Sequence, residues 1–261
     1  MIVIDTHCHI GHSQNSDSGD IGGESLIRGM DAYGIDAAIV LPLPSVEDHA
    51  TEHDDIARLA QRHPGRIFGT VCIRPQLGSA AVHRETKRCV EDYGFVAMKF
   101  HPMHHGGSPA SPRGDVIFEV AQEFGLPVMC HTGPGAPWAL PSMLIPAARK
   151  YPDVTFIAAH SGMEIYAEDA WVAASECQNI VLDSAWTSPG RTAWLIDRLG
   201  ADRMMMSTDL PTNNSTETAK WRDLDISEKD KETCLHHLPV RLFDLAAHGF
   251  DPARFTKAPA A

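Results

Sequence analysis

The sequence has no C-x-x-C pair, no run of Lys and Arg longer than two, and no apolar stretch near the ~18 residues of a membrane helix. Each absence removes a class of protein. The six cysteines (Cys8, Cys72, Cys89, Cys130, Cys177, Cys234) stand singly, which argues against a zinc ribbon and a disulfide framework and leaves them as reduced core thiols. A formal net charge of -12 without a basic patch leaves no electrostatic footprint for nucleic acid. The opening Met1–Asp5 is too short an apolar stretch for a signal peptide, so a cytoplasmic protein without membrane or nucleic-acid partners is expected.

What is present is a repeat of strand and helix signals. Apolar, β-branched runs recur at Ile2–Asp5, Ala37–Leu41, Ile67–Ile73, Phe95–Phe100, Pro127–Cys130, Thr155–Ala159, Ile180–Asp183 and Arg203–Ser207. Helix-length segments separate most of them: Asp54–Arg62, Ala80–Asp92, Val116–Glu123, Met143–Lys150, Ala167–Cys177 and Thr192–Arg198. Gly34, Gly94, Gly125 and Gly200 punctuate helix ends. Eight strands alternating with helices predict parallel strands joined by right-handed crossovers, a (β/α)8 TIM barrel of α/β class, for which about 250 residues suffice. One domain is expected over 1–256, with a frayed tail at 257–261. Gly11–Gly23, His101–Gly114, Thr132–Pro141 and Ser184–Gly190 follow strands and would form the rim of a pocket.

The motif His7-Cys8-His9 puts two imidazoles on one face of the first strand, since strand side chains alternate. With 15 histidines in the chain, one such pair by chance is expected about once, so position has to carry the argument. His131 ends the fifth strand, His160 the sixth and Asp209 the eighth. Four strand ends delivering imidazole or carboxylate to the C-terminal rim of one barrel predict a shared metal ion there. The same alternation turns Cys8 and Cys130 away from it.

The segments Ile-Asp-Thr-His7-Cys-His9-Ile-Gly, Lys99-Phe-His101-Pro, Pro-Val-Met-Cys-His131-Thr-Gly, Ala-His160-Ser-Gly, Leu-Asp-Ser184 and Ser207-Thr-Asp209-Leu-Pro are similar, in order and spacing, to the amidohydrolase-related metal-dependent hydrolases. That family includes lactonases, amide hydrolases and non-oxidative decarboxylases similar to aminocarboxymuconate-semialdehyde decarboxylase. The resemblance implies His7, His9, His131 and Asp209 as ligands of one Zn2+ or Mn2+ ion, with His160 beside its water or as a further ligand. Two departures touch no ligand: His236-His237-Leu238-Pro239 replaces the family's Gly-Asn-Ala, and Ser-Thr-Asp replaces Gly-Ser-Asp at strand eight.

Lys99 and His101 share a strand face and should both look into the pocket, as catalytic groups. In family members with two ions a lysine at this place is carboxylated and bridges them; with one ion it orients substrate, and that reading is preferred here. Trp138, Trp186, Arg191 and His104 lie in rim loops and are candidates for substrate contact. His104, His105 and His12 also fit solvated loop positions, and Arg113, like Arg191, fits a carboxylate clamp. Glu164 and Glu168 fit a charged helix start, and Glu47–Asp55 an exposed helix face. The leading expectation is hydrolysis of a lactone or amide in a small molecule, with Asp209 as proton acceptor and donor. A metal-dependent decarboxylase is the alternative; family decarboxylases tend to be longer, which favours hydrolysis. A metal-binding protein without catalysis is the third reading, and a homodimer is possible with any of them.

Overall fold

A computed structural model describes residues 1–11, 21–45 and 48–255. Eight parallel strands lie in sequence order: β1 (Ile4–Ile10), β2 (Ala37–Pro42), β3 (Ile67–Val71), β4 (Ala97–Phe100), β5 (Val128–His131), β6 (Phe156–Ala159), β7 (Ile180–Asp183) and β8 (Met204–Met205). Closure of the sheet comes from strands 200 residues apart, through Thr6 N–H to Met206 O at 3.0 Å and a parallel bridge between Cys8 and Asp209. The architecture is the expected (β/α)8 barrel. Around it pack α1 (Gly23–Tyr33), α2 (His49–Arg62), α3 (Ser79–Tyr93), α4 (Pro112–Phe124), α5 (Ile145–Lys150), α6 (Ala167–Glu176), α7 (Pro189–Leu199) and α8 (Asn214–Asp223). Gly34, Gly94 and Gly125 end α1, α3 and α4 in the left-handed conformation, where the lack of a Cβ removes the steric cost.

Period-two alternation sorts the core into two bodies. Ala38, Val40, Met98, Phe100, Cys130, Ala158 and Leu182 face outward and pack with helix residues such as Leu26, Ile56, Phe118 and Leu195. Ile4, Ile39, Leu41, Met129, Ile157, Val181 and Met205 face inward and fill the barrel. Each such side chain stabilises by about 1.5–3 kcal/mol when fully buried. The inner body is closed at the strands' N-terminal end by Leu238, Phe243, Leu245 and Phe250 from the last part of the chain. Cys8 and Cys130 belong to the outer body, as alternation requires, and all six cysteines are buried and free.

Alternation also decides what tops the plug. Two residues beyond inward Ala97, Met129 and Val181 come Lys99, His131 and Asp183, all on the inner face at the C-terminal mouth. β1 runs on through the His7-Cys8-His9 motif to Ile10, further than its apolar run suggested, with a register shift between Asp5 and Cys8. Such a shift re-aims the side chains that follow it.

Several loop expectations need correction. His49 and His53 do not sit on an exposed face: the first turns of α2 bury both, and His53 accepts Cys72 N–H at 3.0 Å while its other nitrogen meets Glu85 at 2.7 Å. His105 is not a solvated loop residue either. The one-turn helix Pro102–His105 folds it beneath the rim, where it accepts His101 N–H at 3.2 Å and packs on Phe100. His12 and the tail 257–261 lie outside the described residues.

Candidate metal centre

The first two imidazoles are oriented from behind. His9 donates its Nδ1 proton to the Pro42 carbonyl at 2.8 Å, and His7 Nδ1 meets Asp183 Oδ2 at 3.0 Å. A carbonyl and a carboxylate accept only, so each ring carries its proton on Nδ1 and presents a bare Nε2 to the mouth. These two atoms are 3.1 Å apart, and Asp209 Oδ1 lies 3.3 Å from His7 Nε2 and 3.7 Å from His9 Nε2. Three acceptors converge on one point; the Lys99 ammonium meets His7 Nε2 at 3.0 Å, and a cation at the centre would answer all three. Donor atoms about 2.0–2.1 Å from a tetrahedral ion stand roughly 3.3–3.4 Å from one another. The triangle therefore fits a divalent ion.

Asp209 reaches this place from the seam of the barrel. Its N–H donates to His7 O at 2.7 Å, its carbonyl accepts His9 N–H at 2.8 Å, and its backbone is held at φ 65°. His160 follows β6 at φ 68°, with Nε2 3.9 Å from Asp209 Oδ1. Ser161, Met163, Trp138 and Trp186 share the positive-φ region, so among the described residues six of the seven non-glycine residues found there are in loops after β5 to β8. Backbone strain of this kind gathers where a site over-determines its loops.

His131 stands one ring further out. Its centroid is 5.1 Å from His160, and it stacks on His101 at 4.1 Å with planes 14° apart. Lys99 rises beside His7, its Nζ 3.0 Å from Nε2. Burial keeps the imidazoles neutral, the form that ligates: it takes His7 well below its ordinary value, His9 down to about 4 and His131 to about 2, with Lys99 adding to each. Burial alone would raise the Asp209 carboxyl, but the positive charge around it, the Lys99 ammonium included, holds it below the usual range.

The structure gathers His7, His9, His131, His160, Asp209, Lys99 and His101 in one mouth. It places the remaining candidates differently. Trp186 turns its indole inward, Nε1 donating to Asp209 Oδ2 at 2.8 Å, while 43% of the residue stays exposed. Trp138 is 46% exposed, in a loop closed by Gly133 N–H to Ala139 O at 2.8 Å. His104 lies against the edge of His101 at 4.5 Å. Arg191 is engaged elsewhere: its guanidinium meets Glu168 at 2.6 Å and Glu164 at 3.4 Å, tying the β6 and β7 loops together. Arg113 donates to the carbonyls of Gly106 and His105, closing the β4 loop.

Asp183, within the motif Leu-Asp-Ser184, was given no role by the sequence. This fully buried carboxylate also accepts His160 N–H at 2.7 Å and Ser207 Oγ–H at 2.8 Å. The parity rule that selects His131 points equally to Asp183, the last residue of β7. Asp5 was missed too; it takes Thr208 N–H at 3.0 Å and His7 N–H at 3.2 Å, and burial raises its carboxyl to about 7.

Comparison with known proteins agrees with this geometry. The family model described as Amidohydrolase matches residues 4–245. The chain belongs to the amidohydrolase family. No curated protein matches the sequence. Among solved structures, an amidohydrolase candidate from Staphylococcus aureus superposes with a TM-score of 0.75 at 16% identity, covering 94% of this chain and 100% of its own. The 5-carboxyvanillate decarboxylase of Novosphingobium aromaticivorans, complexed with manganese and a nitrobenzoic acid, gives 0.75 at 17%, covering 93% and 96%. The 2,6-dihydroxybenzoate decarboxylase from Rhizobium gives 0.74 at 19%, covering 94% and 99%. Among the described residues no helix is long and apolar enough to cross a membrane.

Proposed function

We propose that this amidohydrolase family member is a metal-dependent, non-oxidative decarboxylase of a small carboxylic acid, a reading now preferred to hydrolysis. The observation that carries it is the indole N–H of Trp186 on Asp209 Oδ2. It leaves Asp209 one oxygen, and that oxygen faces His7, His9 and His160. Hydrolysis asks this carboxylate to take a proton from water and then give one to a leaving group. Decarboxylation asks only for one proton at carbon. The decarboxylases among the structural neighbours, acting on a carboxyvanillate and a dihydroxybenzoate, support the same choice.

His7, His9, His131 and Asp209 would hold one divalent ion, and His160 would stand beside it. When bound, the ion supplies a Lewis acid that fixes the substrate's oxygens and draws electron density from them. Manganese in the neighbouring decarboxylases makes Mn2+ the first choice over Zn2+. Lys99, the buried ammonium next to His7, pairs with the substrate's negative charge and orients it. The C–C bond to the carboxylate breaks, its electron pair stays on the substrate carbon, and a proton carried on His160 Nε2 is delivered there as carbon dioxide leaves. No organic electron sink is needed if the substrate carries its own, so a hydroxylated aromatic acid suits the site. Trp138 and Trp186 offer flat apolar surface for such a ring.

The test is a screen of Mn2+- and Zn2+-loaded protein in D2O against hydroxybenzoic acids, lactones and amides. Carbon dioxide release with deuterium on the vacated carbon is expected. New acid from a lactone or amide, with no carbon dioxide from any acid, would return the assignment to hydrolysis.

A further inference from the structure

Behind the β7 loop, α8 buries two charges that take no direct part in the site. Glu217 and Lys220, one helical turn apart, form an ion pair against the Ser184–Thr187 turn. Lys220 Nζ donates to Ser184 O at 2.6 Å and to Thr187 O at 3.1 Å, while Glu217 Oε1 accepts Trp186 N–H at 3.2 Å. Trp221 adds its indole N–H to Ser184 Oγ at 2.9 Å. Every one of these contacts holds backbone or side chain of one turn, the turn in which Trp186 is kept at φ 63°. Buried ion pairs are costly to desolvate and are often replaced by apolar residues without loss of stability. Their contacts here bracket and hold Trp186, the residue of the turn that touches Asp209.

We infer that Glu217 and Lys220 are positioning residues for the metal centre, acting through Trp186 on Asp209. The pair fixes the turn, the turn aims the indole, and the indole holds Asp209 Oδ2 so that Oδ1 stays on the side of His7 and His9. Without the indole, the Asp209 side chain is free to rotate about χ1 and χ2, and the three-acceptor triangle loses one corner for part of the time. A partner of this kind behind a metal ligand is typically worth about 10–100-fold in metal affinity. The inference rests on the metal reading of the mouth and not on the reaction assigned to it.

Mn2+ binding, followed by the electron paramagnetic resonance of free Mn2+ without substrate, tests it. Trp186→Phe should weaken binding about 10-fold with little change in Tm. The double variant Glu217→Met/Lys220→Met removes both charges together, so no buried charge is left unpaired, and should weaken binding to a similar degree. Adding Trp186→Phe to that double variant should cost nothing further. With a substrate in hand, kcat should fall more than KM rises, because the chemistry and not the docking surface is misaligned. Wild-type Mn2+ affinity in the folded double variant, or multiplied effects in the triple variant, would overturn the inference. If the double variant does not fold, Trp186→Phe decides alone: unchanged affinity rejects the link to Asp209. A protein that turns out to be a hydrolase leaves this measurement intact.

Discussion

Asp183 holds the metal-facing strands together: its Oδ2 fixes the His7 ring at 3.0 Å while its Oδ1 receives the His160 N–H at 2.7 Å. One carboxylate of β7 thus sets the tautomer of a β1 imidazole and the entry of the loop after β6.

Asp183→Asn should therefore weaken the site without emptying it. The amide keeps one acceptor and turns an NH2 group toward donors, leaving a buried polar group unpaired at a cost of about 1–3 kcal/mol. Mn2+ affinity should fall about 10–100-fold, read by titration, together with a lower urea midpoint. Wild-type affinity in this variant would mean that the His7 tautomer is set by something else.

Asp209→Asn should leave the fold intact, because the backbone bonds to His7 and His9 remain. Turnover at limiting Mn2+ should drop by at least about 10-fold, because a carboxylate corner of the triangle becomes a neutral amide. Carbon dioxide release per metal bound separates the loss of ion from the loss of chemistry; a fall of more than about 100-fold on that measure would give Asp209 a part in proton transfer beyond holding the ion.

Stability should fall on mild acidification. Burial lowers His49 to about 4, with His53 and Arg74 contributing, and His105 to about 3, with His49 contributing. The unfolded rings take up protons below pH ~6.5 whereas the folded ones do not, so the unfolded state binds more protons between pH ~6.5 and ~4. Each ring then removes up to about 1.4 kcal/mol per pH unit. Urea unfolding at pH 7, 5.5 and 4.5 should show this decline, and His49→Phe should make it shallower. An equally steep decline in that variant would clear His49 of the effect.

Metal should also stabilise the fold. An ion that binds only the folded chain adds about 2.7 kcal/mol at a hundred times its dissociation constant. Tm should rise on adding Mn2+ and return to its starting value with a chelator. The shift should vanish in a His7→Ala/His9→Ala variant; persistence there would place the stabilising ion elsewhere.

Much of this was readable beforehand because the barrel turns sequence parity into spatial side. Once eight strands are counted, inward Ala97 and Met129 determine that Lys99 and His131 crown the plug. Asp183 obeys the same rule, yet its motif Leu-Asp-Ser184 carries no role for the carboxylate by itself. Other features follow no short-range rule. Whether a guanidinium such as Arg191 faces the pocket or Glu168 depends on which loops become neighbours. His49, His53 and His105 look solvated from composition, and become buried only because α2 and the Pro102–His105 turn fold back on the rim. Trp186 on Asp209 joins two loops 23 positions apart at backbone angles that neither sequence announces.

The barrel closes where β1 meets the end of β8, and the triangle that fits the ion has two corners on one side of this seam and one on the other. The ion would then act as a clasp. Its ligands His7 and Asp209 lie some two hundred residues apart and come together only when the last strand docks, so no half-made barrel can bind it at this triangle. Loss of the ion should then loosen the seam, so that hydrogen exchange of the Asp209 and His9 amides quickens when a chelator removes the metal.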